Sequence, residues 1–506
     1  MTTPGDSPRL GRLAIVVASL AVGWTALAVA IPFLRLWYPF ELEWMGGGFG
    51  DHVGRVLDGQ PLYVEPSADW TPYLYTPLYV WLSAGLSRVI GEGLPTLRLV
   101  SILASIANLA LMFAIVHRKT ASRLAALITI GVWSGCYFLV ETWYDSERVD
   151  STFLTFVLAT VLVLDRCRGA WGAIVAAALL VCGYMTKQTA LMLAPPLAVM
   201  VGVRAPRLGA IFAGAFALLW LAVTRTMDAL SDGWFHFYTW QLPRDHEFKL
   251  EYLWNFWTTD SRTVWPTFCL ALWVFTRGFS LRGVKATLAD GALWSGLLLA
   301  GLASRMHTGG AVNVLMPTWL GCAVVCGLSW SAAAVAAARI EARLVRALVL
   351  MQLALFAIKF SNSDQPFLPK VQLLDPSIYL PTTADAAVGE RLVNMLRETE
   401  GDVVVPFHGY LARMAGKRGS AHSMAVIDIR GKNAGDRGPK LMADFFNLPR
   451  SRGAELIVLD DNLEGLTAFF EPGYAFDTHL AQDRQPTFMP VIGLKARPVV
   501  VFRRVK

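Results

Sequence analysis

From Leu13 to Leu34 the chain carries no charged residue, and Arg9 and Arg12 stand just before this run. A helix of that length crosses the roughly 30 Å hydrocarbon core of a bilayer. A cleavable signal peptide has a shorter apolar core and a small-residue cleavage site, so the run reads as a retained first helix with a cytoplasmic N-terminus. Further apolar runs lie near 96–116, 122–141, 151–165, 170–185, 188–203, 207–226, 263–277, 288–303, 311–336 and 344–360. Composition agrees: 55% of residues are apolar and 16% charged, against roughly 25% charged in a soluble domain. That excludes a disordered chain and argues against an ordinary soluble enzyme.

Charge placement tests the count. If the helices alternate, one side receives Arg118, Lys119, Arg123, Arg166, Arg168, Arg204, Arg207, Arg277, Arg282, Lys285, Arg339, Arg343 and Arg346. The other receives Glu41, Glu43, Asp51, Asp58, Glu141, Asp145, Glu147, Asp150, Asp245 and Asp260. A miscount by one helix scrambles this separation, and the basic side is cytoplasmic by the positive-inside rule. The expected architecture is a polytopic α-helical membrane protein of about eleven helices, with residues 1–360 as the membrane module and 361–506 as an extracytoplasmic α/β domain. The net charge of +7 belongs to the cytoplasmic loops. It points to no nucleic acid, because no basic patch is interleaved with stacking aromatics.

The first outer loop, about 35–95, holds a Gly-rich turn at Gly46–Gly48, a short helix near Phe49–Leu57 and a Pro/Tyr-rich stretch from Pro61 to Tyr79. A connection of that length rarely lacks a function. The 227–262 loop is rich in Trp, Tyr and Phe, which suits either an interfacial belt or contact with a lipid substrate. In the tail, Ala384–Arg397 has helical periodicity, while Val403–Val405, Met424–Ile429, Leu456–Leu459 and Val499–Phe502 read as strands. Cys136, Cys182, Cys269, Cys322 and Cys326 lie in apolar runs and Cys167 in a short basic loop. None has zinc spacing and there is no disulfide framework; Cys322 and Cys326, i and i+4 on one helix face, read as small packing residues.

Four outer clusters can carry chemistry. Glu41 and Glu43 follow the first helix; in an extended segment both face one way, and partial burial raises a carboxyl toward the range of a general base. The alternative is a solvated helix end. Arg148 and Asp150 suit either an ion pair capping a helix or a phosphate-binding Arg beside a positioning carboxylate. Lys187 either snorkels to water or neutralises a lipid phosphate leaving group. Arg305 can bind phosphate, and His307, beside Gly309 and Gly310, can hydrogen-bond to sugar or phosphate, although a lone His is more often structural. Together these groups favour transfer from a lipid phosphate at the bilayer surface.

The sequence resembles the GT-C membrane glycosyltransferases, in particular the bacterial family 39 group related to protein mannosyltransferases and aminoarabinose transferases. The resemblance covers roughly 10–360. It rests on Pro39-Phe40-Glu41-Leu42-Glu43-Trp44, Leu57-Asp58-Gly59-Gln60-Pro61-Leu62-Tyr63, Tyr75-Thr76-Pro77-Leu78-Tyr79, Arg148-Val149-Asp150, Lys187-Gln188-Thr189-Ala190 and His307-Thr308-Gly309-Gly310 with Asn313. It implies inverting transfer of a sugar from a polyprenyl-phosphate donor to the hydroxyl of a cell-envelope glycan, lipid or protein. Family members often carry an Asp-Glu pair where this chain has Glu-Leu-Glu; Glu43, then Glu41, is the expected base, with Asp150 orienting substrates. Arg148, Lys187 and Arg305 are the expected donor-phosphate ligands, and Tyr75, His307 and Asn313 the substrate contacts. The location implied is a bacterial inner membrane. No cofactor is required; a divalent metal is left open, since carboxylates suit one but no ligand spacing is diagnostic. The competing readings are a transporter or flippase of lipid-linked glycans, which should show ionisable groups near mid-bilayer and a repeat between halves, and a non-catalytic membrane scaffold.

Overall fold

The computed structural model describes residues 8–166, 168–336, 338–361, 370–460, 466–480, 488 and 490–505. Each expected apolar run forms a helix. These are α1 (Pro8–Arg35), α4 (Leu94–Thr120), α5 (Arg123–Leu139), α6 (Asp150–Arg166), α7 (Ala170–Thr186), α8 (Ala190–Gly202), α9 (Pro206–Leu230), α10 (Trp265–Leu281), α11 (Val284–Arg305), α12 (Met316–Ala333) and α13 (Arg339–Leu355). Among the described residues, six helices are long and apolar enough to cross a membrane: Gly11–Arg35, Leu94–Thr120, Pro206–Leu230, Arg262–Leu281, Val284–Arg305 and Val312–Ala333. Short links make sequential helices antiparallel neighbours. Between α4 and α5, Ala121 turns the chain in the left-handed region, and Ser122 caps α5 by accepting the Ala125 N–H at 3.1 Å.

The α12 span is 83% buried and that of α9 only 17%, so α12 runs through the bundle and α9 along its rim. Small residues let helices approach: a Cβ on Gly131 of α5 would lie 2.4 Å from the Ala21 Cβ of α1. Cys136, Cys322 and Cys326 are buried in this packing, Cys182 is half-buried and Cys269 exposed; Cys167 lies outside the described residues.

Two helices sit in the first loop. α2 (Gly46–Leu57) starts at Gly46, so the expected Gly-rich turn is its first turn. α3 (Leu78–Ile90) was not anticipated. The aromatic 227–262 loop divides: Phe235, Tyr238 and Phe256 are buried, whereas Trp254 is exposed.

After α13 an antiparallel pair, β1 (Ile358–Ser361) and β2 (Lys370–Leu373), precedes α14 (Thr383–Glu398), which begins with a reciprocal Thr382/Asp385 capping box. A four-stranded sheet follows, formed by β3 (Val403–Val404), β4 (Leu456–Asp460), β5 (Tyr474–His479) and β6 (Pro498–Arg504) in the order β3-β4-β6-β5, with only β3–β4 parallel. The expected strand at Met424–Ile429 is instead a helix, Ser423–Asp428. His422 Nδ1 accepts the Met424 N–H at 3.1 Å, and this cap starts the turn.

The tail packs on the first loop. Phe488 meets Phe40 edge-on with ring centroids 5.1 Å apart. The Ile492 N–H donates to the Leu42 carbonyl at 2.9 Å. Arg413 forks between Asp58 and Glu92.

Candidate active site

Two buried arginines shape the segment that presents Glu41 and Glu43. Arg35, the last residue of α1, pairs with Asp145 through Nε and Nη2 (2.8 and 2.7 Å) and donates to the hydroxyl and carbonyl of Thr142. Glu141 and Thr142 both hold positive φ, 47° and 63°, and these bonds sustain that strain. Arg98, in the first turns of α4, pairs with Glu147 at 2.5 Å and donates to the carbonyls of Tyr38 and Phe40. Both pairs are fully buried, so losing one member would cost about 3–5 kcal/mol. They hold residues 35–41 against the loop that carries Arg148.

Glu43 is 1% exposed, and its Oε2 lies 3.5 Å from Arg148 Nη1. Arg148 Nη2 donates to the Tyr75 hydroxyl at 2.9 Å, and its guanidinium stacks near Phe49, Tyr75 and Trp143. Glu43 Oε1 and Arg148 Nε are buried without hydrogen-bond partners. Burial pushes the Glu43 carboxyl up to about 7, against the pull of Arg148 and the Met45 N–H. A carboxyl in that range with a free oxygen can take a proton near neutral pH.

Glu41 has a different partner. Its Oε2 bonds to His408 Nδ1, just before the helix Gly409–Met414, and His408 Nε2 lies 3.3 Å from Asp460 Oδ1 at the end of β4. Burial alone would lower the His408 pKa, but the two carboxylates outweigh it and hold the imidazole well above its ordinary value, hence charged. Glu41 Oε1 is buried and unpartnered, and a Cβ on Gly47 would fall 1.8 Å from it. Only glycine leaves room for Glu41 there.

Asp150, the first residue of α6, joins two other expected site residues. Its Oδ1 takes Lys187 Nζ at 2.5 Å and its Oδ2 takes Asn313 Nδ2 at 3.0 Å. Asp150 therefore pairs with Lys187, not with Arg148, and Lys187 is buried instead of snorkelling. Arg305 and His307 stand apart from both groups. Arg305 is held by Asp260 at 2.8 Å and by the Gly310 carbonyl at 2.6 Å; His307 Nε2 lies 2.9 Å from the Pro243 carbonyl.

The family of dolichyl-phosphate-mannose-protein mannosyltransferases matches residues 72–227. No curated protein matches the sequence. Among solved structures, ArnT from Cupriavidus metallidurans bound to undecaprenyl phosphate aligns over 95% of this chain and 97% of that one, at 11% identity and a TM-score of 0.56. The Archaeoglobus fulgidus oligosaccharyltransferase AglB, in complex with an inhibitory peptide and a dolichol-phosphate, aligns over 88% and 70%, at 10% identity and a TM-score of 0.53. The chain has the GT-C fold. That fold is one of multi-pass membrane proteins, as the expected architecture required.

On this GT-C frame, sequence reasoning missed Arg98, His408 and Asp460. Arg98 left a signal, a charge inside the apolar run near 96–116. His408 and Asp460 left none, because they meet Glu41 only through the fold. Among the described residues no group of three or more His, Cys, Asp or Glu side chains could hold a metal ion.

Proposed function

We propose that the protein is a glycosyltransferase that moves a sugar from a polyprenyl-phosphate donor to an acceptor hydroxyl on the outer face of a bacterial plasma membrane, with inversion. One observation carries this reading: a buried carboxyl at about 7, Glu43, with one oxygen free beside Arg148. Its setting is a fold shared with proteins solved bound to undecaprenyl phosphate and dolichol-phosphate. The acceptor belongs to an envelope glycan, a lipid or a protein.

Glu43 accepts the acceptor's proton as the acceptor oxygen bonds to the anomeric carbon. The bond from that carbon to the phosphate oxygen breaks, and the phosphate leaves with the electron pair. Arg148 binds that phosphate. Glu41, fixed by His408, stabilises positive charge at the anomeric centre. The Asp150–Lys187–Asn313 group orients substrate, with Lys187 and Tyr75 beside it as contacts to donor or acceptor; Arg305 and His307, held by Asp260 and the Pro243 carbonyl, are contacts only for a more distant part of the substrate. Residues 361–506 form the extracytoplasmic unit that completes the site through His408.

The charges at the site lie at helix ends, which disfavours a transporter with mid-bilayer ionisable groups. The test is transfer of labelled sugar from a polyprenyl phosphate by purified protein. Glu43→Gln should lose turnover by about 10²–10⁴-fold, the range of a general base, while remaining folded. Full rates in both Glu43→Gln and Glu41→Gln would remove the base assignment and leave a scaffold as the better reading.

A further inference from the structure

A second charged cluster lies at the other end of the bundle. α4, α6 and α8 begin beside the candidate site, near Arg98, Asp150 and Lys187, and finish near Lys119, Asp165 and Arg204. At about 1.5 Å per residue, α6 alone separates Asp150 from Asp165 by roughly 22 Å. At this far end Arg118, Lys119, Arg204 and Arg282 surround Asp165 and Asp290 and line a cavity of about 640 Å³.

The pairing inside the cluster is extensive but unbalanced. Arg118 and Arg204 bond to Asp165 at 3.0 and 2.9 Å, while Lys119 and Arg282 bond to Asp290 at 2.5 and 2.9 Å. Four cations face two carboxylates. The surplus shows at Arg282, whose Nε and Nη2 are buried without a hydrogen-bond partner. Leaving buried donors of a charged group unmade is costly. Helix dipoles explain cations at the C-terminal ends of α4, α8 and α10. They explain neither a cavity between these ends nor unsatisfied guanidinium donors in its wall.

We propose that this cavity binds a phosphate group, carried by an anionic phospholipid headgroup or supplied as free phosphate. The excess charge matches a phosphate anion, Arg offers it forked donors, and basic pockets between helix ends at a membrane surface take acidic headgroups. In the proposed orientation the headgroup comes from the cytoplasmic leaflet. The site is independent of the transfer reaction, because it lies at the opposite pole.

The test uses the full chain in detergent, with native mass spectrometry after titration with phosphatidylglycerol or phosphatidylcholine, and thermal unfolding with inorganic phosphate alone. Phosphatidylglycerol should stay bound under conditions that strip phosphatidylcholine. Arg282→Gln and Arg204→Gln should each weaken it about fivefold, the effect of one cation near a lipid surface. Arg277→Gln serves as the control, because Arg277 sits at the same end but pairs with Glu341. Arg204 is 39% exposed, so its variant reports even if Arg282→Gln fails to fold. Phosphatidylglycerol adducts without stabilisation by phosphate identify the lipid as the source; stabilisation by phosphate that both pocket variants weaken identifies the free anion. Absence of both effects, or equal weakening by Arg277→Gln, overturns the proposal.

Discussion

Replacing Arg148 with Gln should move the pH–rate profile to higher pH. Arg148 Nη1 lies 3.5 Å from Glu43 Oε2, and both groups are almost wholly buried. At an effective dielectric of about 20, unit charges at that distance interact by about 4–5 kcal/mol, or about three pKa units. The guanidinium spreads its charge over three nitrogens and also serves Tyr75, so an increase of about one to two units is expected. In the proposed reaction only deprotonated Glu43 can accept the proton, so kcat/KM should rise with pH through about 7 in the unaltered protein. In Arg148→Gln that limb shifts to alkaline pH, and the rate at pH 7 falls further as the deprotonated fraction shrinks. Arg148→Lys keeps the charge and should leave the limb near 7 while still losing the Tyr75 bond. The assay is initial-rate transfer of labelled sugar between pH 5 and 9.5 at limiting donor. A flat profile, or a limb that stays in place when the charge is removed, refutes the pairing of Glu43 with Arg148 as the basis of the chemistry.

Glu43→Gln should be inactive yet more stable at alkaline pH. The Glu43 carboxyl is raised in the folded chain, so the native state holds its proton more tightly and its contribution to stability falls as pH rises from the ordinary value of 4.5 through about 7. The ionised group costs up to about 3 kcal/mol above pH 8, and thermal unfolding of variant and parent should diverge between pH 5 and 8.5 in that direction. Asp150→Asn leaves the Lys187 ammonium buried without its 2.5 Å partner and should destabilise by about 3–5 kcal/mol; adding Lys187→Met should recover much of that loss in the same unfolding assay. Gly47→Ala drives a methyl group into Glu41 Oε1 and should cut transfer activity more than it lowers the unfolding temperature.

The helices were legible because each apolar run is nearly free of charge, and six of the described helices are also long enough to cross a membrane. The sheet was legible at Leu456–Leu459 and Val499–Phe502, where buried residues run without interruption. Met424–Ile429 misled because its apolar residues suit either period over so short a span; the deciding feature is the His422 cap, a side-chain geometry that pattern does not express. α3 was hidden by its position in a loop rich in Pro and Tyr. At the site, the sequence singled out Glu43, Arg148, Tyr75, Asp150, Lys187 and Asn313, but it set Arg148 beside Asp150 and left Lys187 by itself. It could not assign partners among them, because every one of these contacts is long-range.

The least legible contact changes how the two glutamates divide the work. Glu41 and Glu43 have similar burial and are separated by one residue, so an extended strand alone would make them interchangeable. The tail breaks that symmetry. His408 places a cation against Glu41, and Asp460 on the far side of the ring favours the charged imidazole. Glu41 thereby has a fixed cationic partner, although burial still raises its carboxyl against that pull. Glu43 has the longer cation contact, to Arg148 at 3.5 Å, and burial raises its carboxyl to about 7. A residue about 370 positions away in sequence thus distinguishes the two carboxylates, and in the proposed reaction the tail that supplies it takes part in the site.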